Sequence, residues 1–276
     1  MKIFSIIKKS SLRPERPKED YLVLSKKFPI FAVADGVTLR AKTGKKYPNP
    51  SGAAQVAKIF CEKIVFKAEK KYEKFSKKDL PDIFEIANKA VADYNFLKGR
   101  TEKTINYFDF DLFSATTSFL LIKDNKAYWF SLCDAGLMIF DKLGKKIFNS
   151  PSFSPINGKF LPKNWNKMES NERDIVMHKF RNKLGKNGEL LGYGVVDGQK
   201  QAVEYLNYGE IDINAGDLAI IYTDGFENYF DSKDFIKMFV EWPNDLDKKF
   251  SIYEEKMAKK DKIKYGLERT LVAVKV

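Results

Sequence analysis

Histidine is almost missing from this chain: among 276 residues there is one, His178. That scarcity excludes a centre built on several imidazoles and argues against a Ser-His-Asp nucleophile system. Cysteine is nearly as rare. Cys61 and Cys133 stand alone in apolar stretches, without metal-ligand or disulfide spacing, and are expected to be buried free thiols in a reducing compartment. No apolar run reaches the length needed to span a bilayer. The opening Met1-Lys-Ile-Phe-Ser-Ile-Ile-Lys-Lys is broken by charge and lacks a signal-peptide core, so a cytoplasmic protein is expected. Internal repeats and low-complexity linkers are lacking too, and 44% hydrophobic content suffices for one sizeable core. Residues 1–276 are therefore read as a single domain.

Positive charge is plentiful, with a formal net charge of +12. A basic field attracts phosphates. The lysines are nevertheless spread over solvent faces of expected helices, as at Lys58, Lys63, Lys67, Lys70, Lys71 and Lys74, without a basic cluster interleaved with aromatic residues. A primary role in nucleic-acid binding is not expected, whereas acidic or phosphorylated substrates suit the charge.

Two apolar runs end in Asp-Gly: Phe31-Ala-Val-Ala-Asp35-Gly36 and Ala219-Ile-Ile-Tyr-Thr-Asp224-Gly225. Each reads as a buried strand carrying a carboxylate to its tip, with a glycine that permits a sharp turn or close approach. Singly, each is more often just a tight turn. Together, two such acids at one sheet edge would suit a hard divalent cation such as Mg²⁺ or Mn²⁺.

Helical spacing runs from Ser51 to about Phe75, with Pro50 and Ser51 as start signals, and again from about Asp79 to Tyr94. Ser114 to Phe148 reads as an antiparallel meander with turns at Asp124-Asn125 and Asp141 to Gly144. Further strands are expected near Val203–Tyr208, Leu218–Tyr222 and Thr270–Val276, and helices over Ser232–Trp242 and Asp247–Ala258. Residues 149–198, rich in Asn, Lys, Gly and Pro, are expected to form a mobile flap, and His178 within them a surface residue. The run Tyr128-Trp129-Phe130 is expected in the core. This order fits an α+β fold, a four-layer α/β/β/α sandwich of two antiparallel sheets flanked by helices.

In sequence order, Glu19-Asp20, Asp35-Gly36, Ser51-Gly52-Ala53-Ala54, Ala115-Thr116-Thr117, Cys133-Asp134-Ala135, Thr223-Asp224-Gly225 and Glu268-Arg269-Thr270 resemble the metal-dependent serine/threonine protein phosphatases of the 2C type. The resemblance spans nearly the whole chain. It implies hydrolysis of phosphoserine and phosphothreonine in proteins by attack of a water activated between two Mg²⁺ or Mn²⁺ ions, with phosphoprotein substrates and an opposing kinase. It further implies that Asp35 bridges the ions, that Gly36 contributes its carbonyl and that Asp224 completes one shell. Glu19 and Asp20 would hold metal-bound waters or stand behind the ligating groups, and Asp134 would mark a weaker third position. Catalytic roles accordingly fall to Asp20, Asp35 and Asp224.

Three positions differ from the family pattern. Leu267 stands where a terminal ligand acid is usual, leaving Glu268 beside it as the candidate ligand. Glu15 occupies the spacing of the phosphate-binding arginine, leaving Arg16 or Arg13 for that role. Val37-Thr38 follows the first Asp-Gly where some members carry a histidine. The alternatives are a phosphatase-fold binding or regulatory protein with incomplete metal occupancy, and a phosphatase of small phosphorylated metabolites.

Overall fold

The computed structural model describes residues 1–37, 50–105, 111–153 and 161–276. Thr38 and part of the expected flap lie outside the described residues. Among the described residues, ten strands form two five-stranded sheets. One sheet has the order β2 (Tyr21–Leu24), β3 (Ile30–Val37), β4 (Ser114–Lys123), β5 (Lys126–Leu132), β8 (Asn207–Asp212). The other runs β1 (Lys2–Lys8), β10 (Arg269–Lys275), β9 (Leu218–Tyr222), β6 (Gly136–Phe140), β7 (Lys146–Asn149). All pairings between these strands are antiparallel.

Side-chain alternation builds the layers. On β3, Ile30, Ala32 and Ala34 pack with Val56, Phe60 and Ile64 of α1 (Gly52–Lys71) and Ile83 and Phe84 of α2 (Asp79–Leu97). Phe31 and Val33, on the opposite face, meet Leu137, Ile139, Ile221 and Val272 of the second sheet. Beyond that sheet, Ile220, Leu271 and Ala273 pack against Phe235 and Phe239 of α4 (Lys233–Glu241) and Phe250 of α5 (Leu246–Lys260). The four-layer α/β/β/α order is therefore present, with β3 buried on both faces. Ser51 caps α1, its hydroxyl accepting the Ala54 N–H at 3.1 Å. The aromatic run divides by alternation: Trp129 enters the layer between the sheets, while Tyr128 and Phe130 face the first helical layer.

Three local readings are corrected. The stretch from Ser114 to Phe148 is not one meander, because β4 and β5 belong to the first sheet and β6 and β7 to the second. The chain changes sheets at Cys133, whose φ of 66° turns it out of the ladder. The turn at Asp124-Asn125 does hold, with positive φ at both residues as a two-residue hairpin demands. The strand expected over Val203–Tyr208 begins later, at Asn207, after a 3₁₀ stretch over Lys200–Tyr205. The charged N-terminal segment, read only as unsuited to a signal peptide, is edge strand β1, paired with β10 from Lys2↔Lys275 to Lys8↔Arg269.

The segment expected as a flap contains α3 (Ser170–Phe180) and a buried polar knot. His178 is only 2% exposed, not a surface residue. Its Nδ1 lies 3.4 Å from Asp111 Oδ2, which also receives Arg181 Nη1 at 2.8 Å. Asn182, at φ 49°, donates to Val195 O and Asp197 Oδ1, each at 2.9 Å. Beside this knot Tyr193 and Val195 pack on Cys133, so the segment is seated against the crossover between the sheets. Among the described residues, no helix is long and apolar enough to cross a membrane.

Because Arg181 and Asp111 are both buried, removing the arginine takes away the strongest charge that favours the Asp111 carboxylate. Arg181→Met should lower the unfolding free energy by about 3–5 kcal/mol in urea titrations. A loss below about 1 kcal/mol would show that the pair does not hold the segment in place.

Candidate metal centre

The inner layer between the sheets changes character along the strands. Phe31 and Val33 are followed two residues later by Asp35, and Ile122 and Leu120 are preceded by Ser118 and Thr116. Ala219 and Ile221 lead to Thr223, Val274 and Val272 to Thr270, and Ala127 and Trp129 to Ser131. Period-two alternation thus places hydroxyls and a carboxylate at one end of an otherwise apolar interior. Thr116 is the cross-strand partner of Asp35.

Around that end the chain delivers further acids. Asp134 lies on the crossover, Asp224 opens the 3₁₀ stretch Asp224–Asp231, and Asp20 precedes β2. Asp20 is buried, while Asp35, Asp134 and Asp224 keep part of their surface open to solvent. Their charges act on one another. Burial, followed by the charges of Asp20, Asp224 and Asp134, pushes Asp35 well above the carboxylate range. Burial and then Asp134 and Asp20 do the same to Asp224. Burial and then Glu268 raise Asp20 to about 7. Burial raises Asp134 to about 6, with Thr116 beside it opposing the shift. Among the described residues, no lysine or arginine figures in the charges acting most strongly on these four acids.

The neighbours of Asp20 are closely defined. Thr223 Oγ1 donates to Asp20 Oδ2 at 2.9 Å and itself accepts the Thr270 N–H at 2.8 Å. Glu268 Oε1 accepts the backbone N–H groups of Glu19 and Asp20 at 2.7 and 2.9 Å. Glu19 accepts the hydroxyl of the helix-capping Ser51. Both motif glycines serve close approach rather than turning, since neither has positive φ. A Cβ on Gly36 would lie 2.9 Å from Glu19 O, and one on Gly225 2.0 Å from Glu268 O. The glycine after each strand-end acid therefore admits the backbone carrying another acid.

The residues fit hard divalent cations by their chemistry. All are oxygen donors, and Asp20 Oδ1 and Asp134 Oδ1 are buried without a hydrogen-bond partner. Among the described residues, the side chains as they stand do not close into a cage of three or more acids, histidines or cysteines. Arg13 is exposed and Arg16 half-buried, with the Arg16 N–H bonded to Arg13 O at 3.1 Å. Sequence reasoning missed Thr223 as the clamp on Asp20, although the inner-face alternation of β9 points to it. Glu227 lies within the 3₁₀ stretch and its charge raises both Asp134 and Asp224, so it does border the site.

The raised values have a signed consequence. Without metal, folded Asp20 and Asp134 retain protons up to about 7 and 6, whereas their unfolded counterparts ionise near 3.8. The folded state then binds more protons, so their contribution to stability falls as pH climbs from about 4 to 7. A cation that displaces those protons reverses the loss. The rise in melting temperature produced by Mn²⁺ should therefore grow between about pH 5 and pH 8. A rise of equal size at both values would refute the clustering of the acids.

No protein-family model matches the chain, and no curated protein matches it in sequence. Solved structures match it along its whole length. The Mycobacterium tuberculosis serine/threonine phosphatase PstP/Ppp is 12% identical, with 99% of this chain and 97% of that one covered at a TM-score of 0.60. The catalytic domain of PstP in complex with two manganese ions is likewise 12% identical, covering 99% and 96% at a TM-score of 0.56. The S. agalactiae serine/threonine phosphatase is 14% identical, covering 99% and 97%, also at 0.56. At these identities the likeness is one of architecture: the chain has the fold of the 2C-type metal-dependent serine/threonine protein phosphatases.

Proposed function

We propose that this chain is a divergent member of that phosphatase family and hydrolyses phosphoserine and phosphothreonine in proteins. The observation that carries the reading is the meeting of Asp20, Asp35, Asp134 and Asp224, from both sheets and the crossover between them, with no basic side chain of the described residues among the charges acting most strongly on them. Asp35, Gly36 and Asp224 would hold two Mg²⁺ or Mn²⁺ ions, with Glu19 and Asp20 beside them and Asp134 toward a weaker third. Such ions supply a strongly acidified water as nucleophile and neutralise charge on the phosphoryl oxygens.

The chain's own groups fit that division of labour. Burial pushes the thiols of Cys61 and Cys133 upward, which keeps them protonated and poor as nucleophiles. Burial, followed by the charge of Arg181, holds His178 neutral down to about 2, and its packing against Asp111 gives it a structural task. Thr223 and the Glu268 carboxylate orient Asp20. Arg13 or Arg16 would bind the phosphoryl group. The free buried thiols agree with a cytoplasmic setting, where an opposing kinase would supply the phosphorylated protein.

A second reading, a phosphatase-fold binding or regulatory protein, is favoured by two observations: Leu267 in place of an acid, and Glu268 Oε1 already engaged by two backbone amides. A phosphatase of small phosphorylated metabolites is a third, to be separated by a substrate panel.

Phosphate release from a phosphothreonine peptide should require Mn²⁺ or Mg²⁺, and Asp35→Asn and Asp224→Asn should each reduce it by about 100-fold or more. No release from folded wild-type protein with either metal would favour the regulatory reading.

A further inference from the structure

Glu268 immediately precedes β10, and its Oε1 faces the backbone just before β2 rather than an open position. That one oxygen accepts both the Glu19 and the Asp20 N–H, at 2.7 and 2.9 Å. Charge-assisted bonds of this kind are short and directional, and two on one oxygen fix both the carboxylate and the peptide units it holds. The anchor is itself anchored. Arg269 Nη1 donates to Leu267 O at 2.6 Å, while its Nη2 and Nε donate to Glu254 Oε1 at 2.6 and 3.0 Å. Gly225 lets Glu268 O approach so closely that a Cβ there would lie 2.0 Å away.

Next to these amides, the Asp20 carboxylate is clamped by Thr223, leaving Oδ1 without a donor. Asp20 and Asp35 interact through their side chains as well as their charges. A continuous path therefore runs from Arg269 and Gly225, through Glu268, to the two amides and on to the acid pair.

We propose that Glu268 is a positioning residue: it holds the Glu19 and Asp20 backbone through Oε1 and so aims Asp20 at Asp35, rather than serving as an ion ligand itself. The inference rests on the phosphatase reading for the importance of that aim, but the anchoring stands or falls independently. Glutamine keeps a carbonyl oxygen able to accept both N–H groups and removes the charge, whereas alanine removes the acceptor.

The test compares Glu268→Gln, Glu268→Ala and Asp224→Asn with wild type by two measurements. Amide hydrogen exchange on metal-free protein reports on Glu19 and Asp20, and calorimetric titration with Mn²⁺ reports on the centre. The expected result is protected amides and Mn²⁺ affinity within about 3-fold of wild type in Glu268→Gln. Glu268→Ala should show faster exchange at both amides and about 10-fold or greater loss of affinity. The proposal is overturned if Glu268→Gln keeps the amides protected yet loses Mn²⁺ as severely as Asp224→Asn, or if Glu268→Ala leaves the amides as protected as in wild type. Wild-type protein that binds no Mn²⁺ would defeat the phosphatase reading, while exchange would still decide the anchoring.

Discussion

Carboxylates crowded together, with no basic side chain among the strongest charges that the described residues bring to them, are the constraint on which the rest of this structure depends. Like charges at the end of a dry sandwich repel, and each is penalised again by burial. Protons relieve part of that repulsion at low pH, and hard cations are the remaining remedy near neutrality. Asp20, Asp35, Asp134 and Asp224 are supplied by four separate parts of the fold, so the cluster exists only when both sheets and the crossover between them are assembled.

The scaffold answers this demand with rigid parts. β3 is buried from Ile30 to Ala34 and locked between helices and a second sheet, which leaves its tip little freedom. Thr223 and Thr270 join the ends of β9 and β10, and Thr223 then reaches Asp20. Ser51 joins the start of α1 to Glu19. Gly36 and Gly225 admit the backbone of Glu19 and Glu268, so the two Asp-Gly tips are each packed against a segment bearing another acid. The segment over residues 161–198 is seated by Asp111 and Arg181 and reaches Cys133, next to Asp134.

Much of this was legible in the amino-acid order because it depends on short-range period. The buried strands before Asp35 and Asp224, the cap at Ser51 and the apolar faces of α1 and α2 all announce themselves within a dozen residues. What escaped depends on distant partners. No local pattern tells that β6 leaves the sheet of β5, since the change rests on one residue, Cys133, in left-handed backbone. Lys2–Lys8 was not read as a strand because an edge strand buries little, and only β10 reveals its pairing. His178 sits in a polar stretch yet is buried by Asp111, which lies far earlier in the chain. The role of Glu268 was hidden for the same reason: its hydrogen-bond partners, Glu19 and Asp20, stand at the other end of the sequence.

Anomalous diffraction from crystals of this protein grown with Mn²⁺ tests the central claim most directly. The account predicts two strong manganese peaks at the polar end of the sandwich, with Asp35 touching both and Asp224 one. Absence of manganese there at millimolar concentration, with the four acids instead paired through protons or basic side chains, would contradict it.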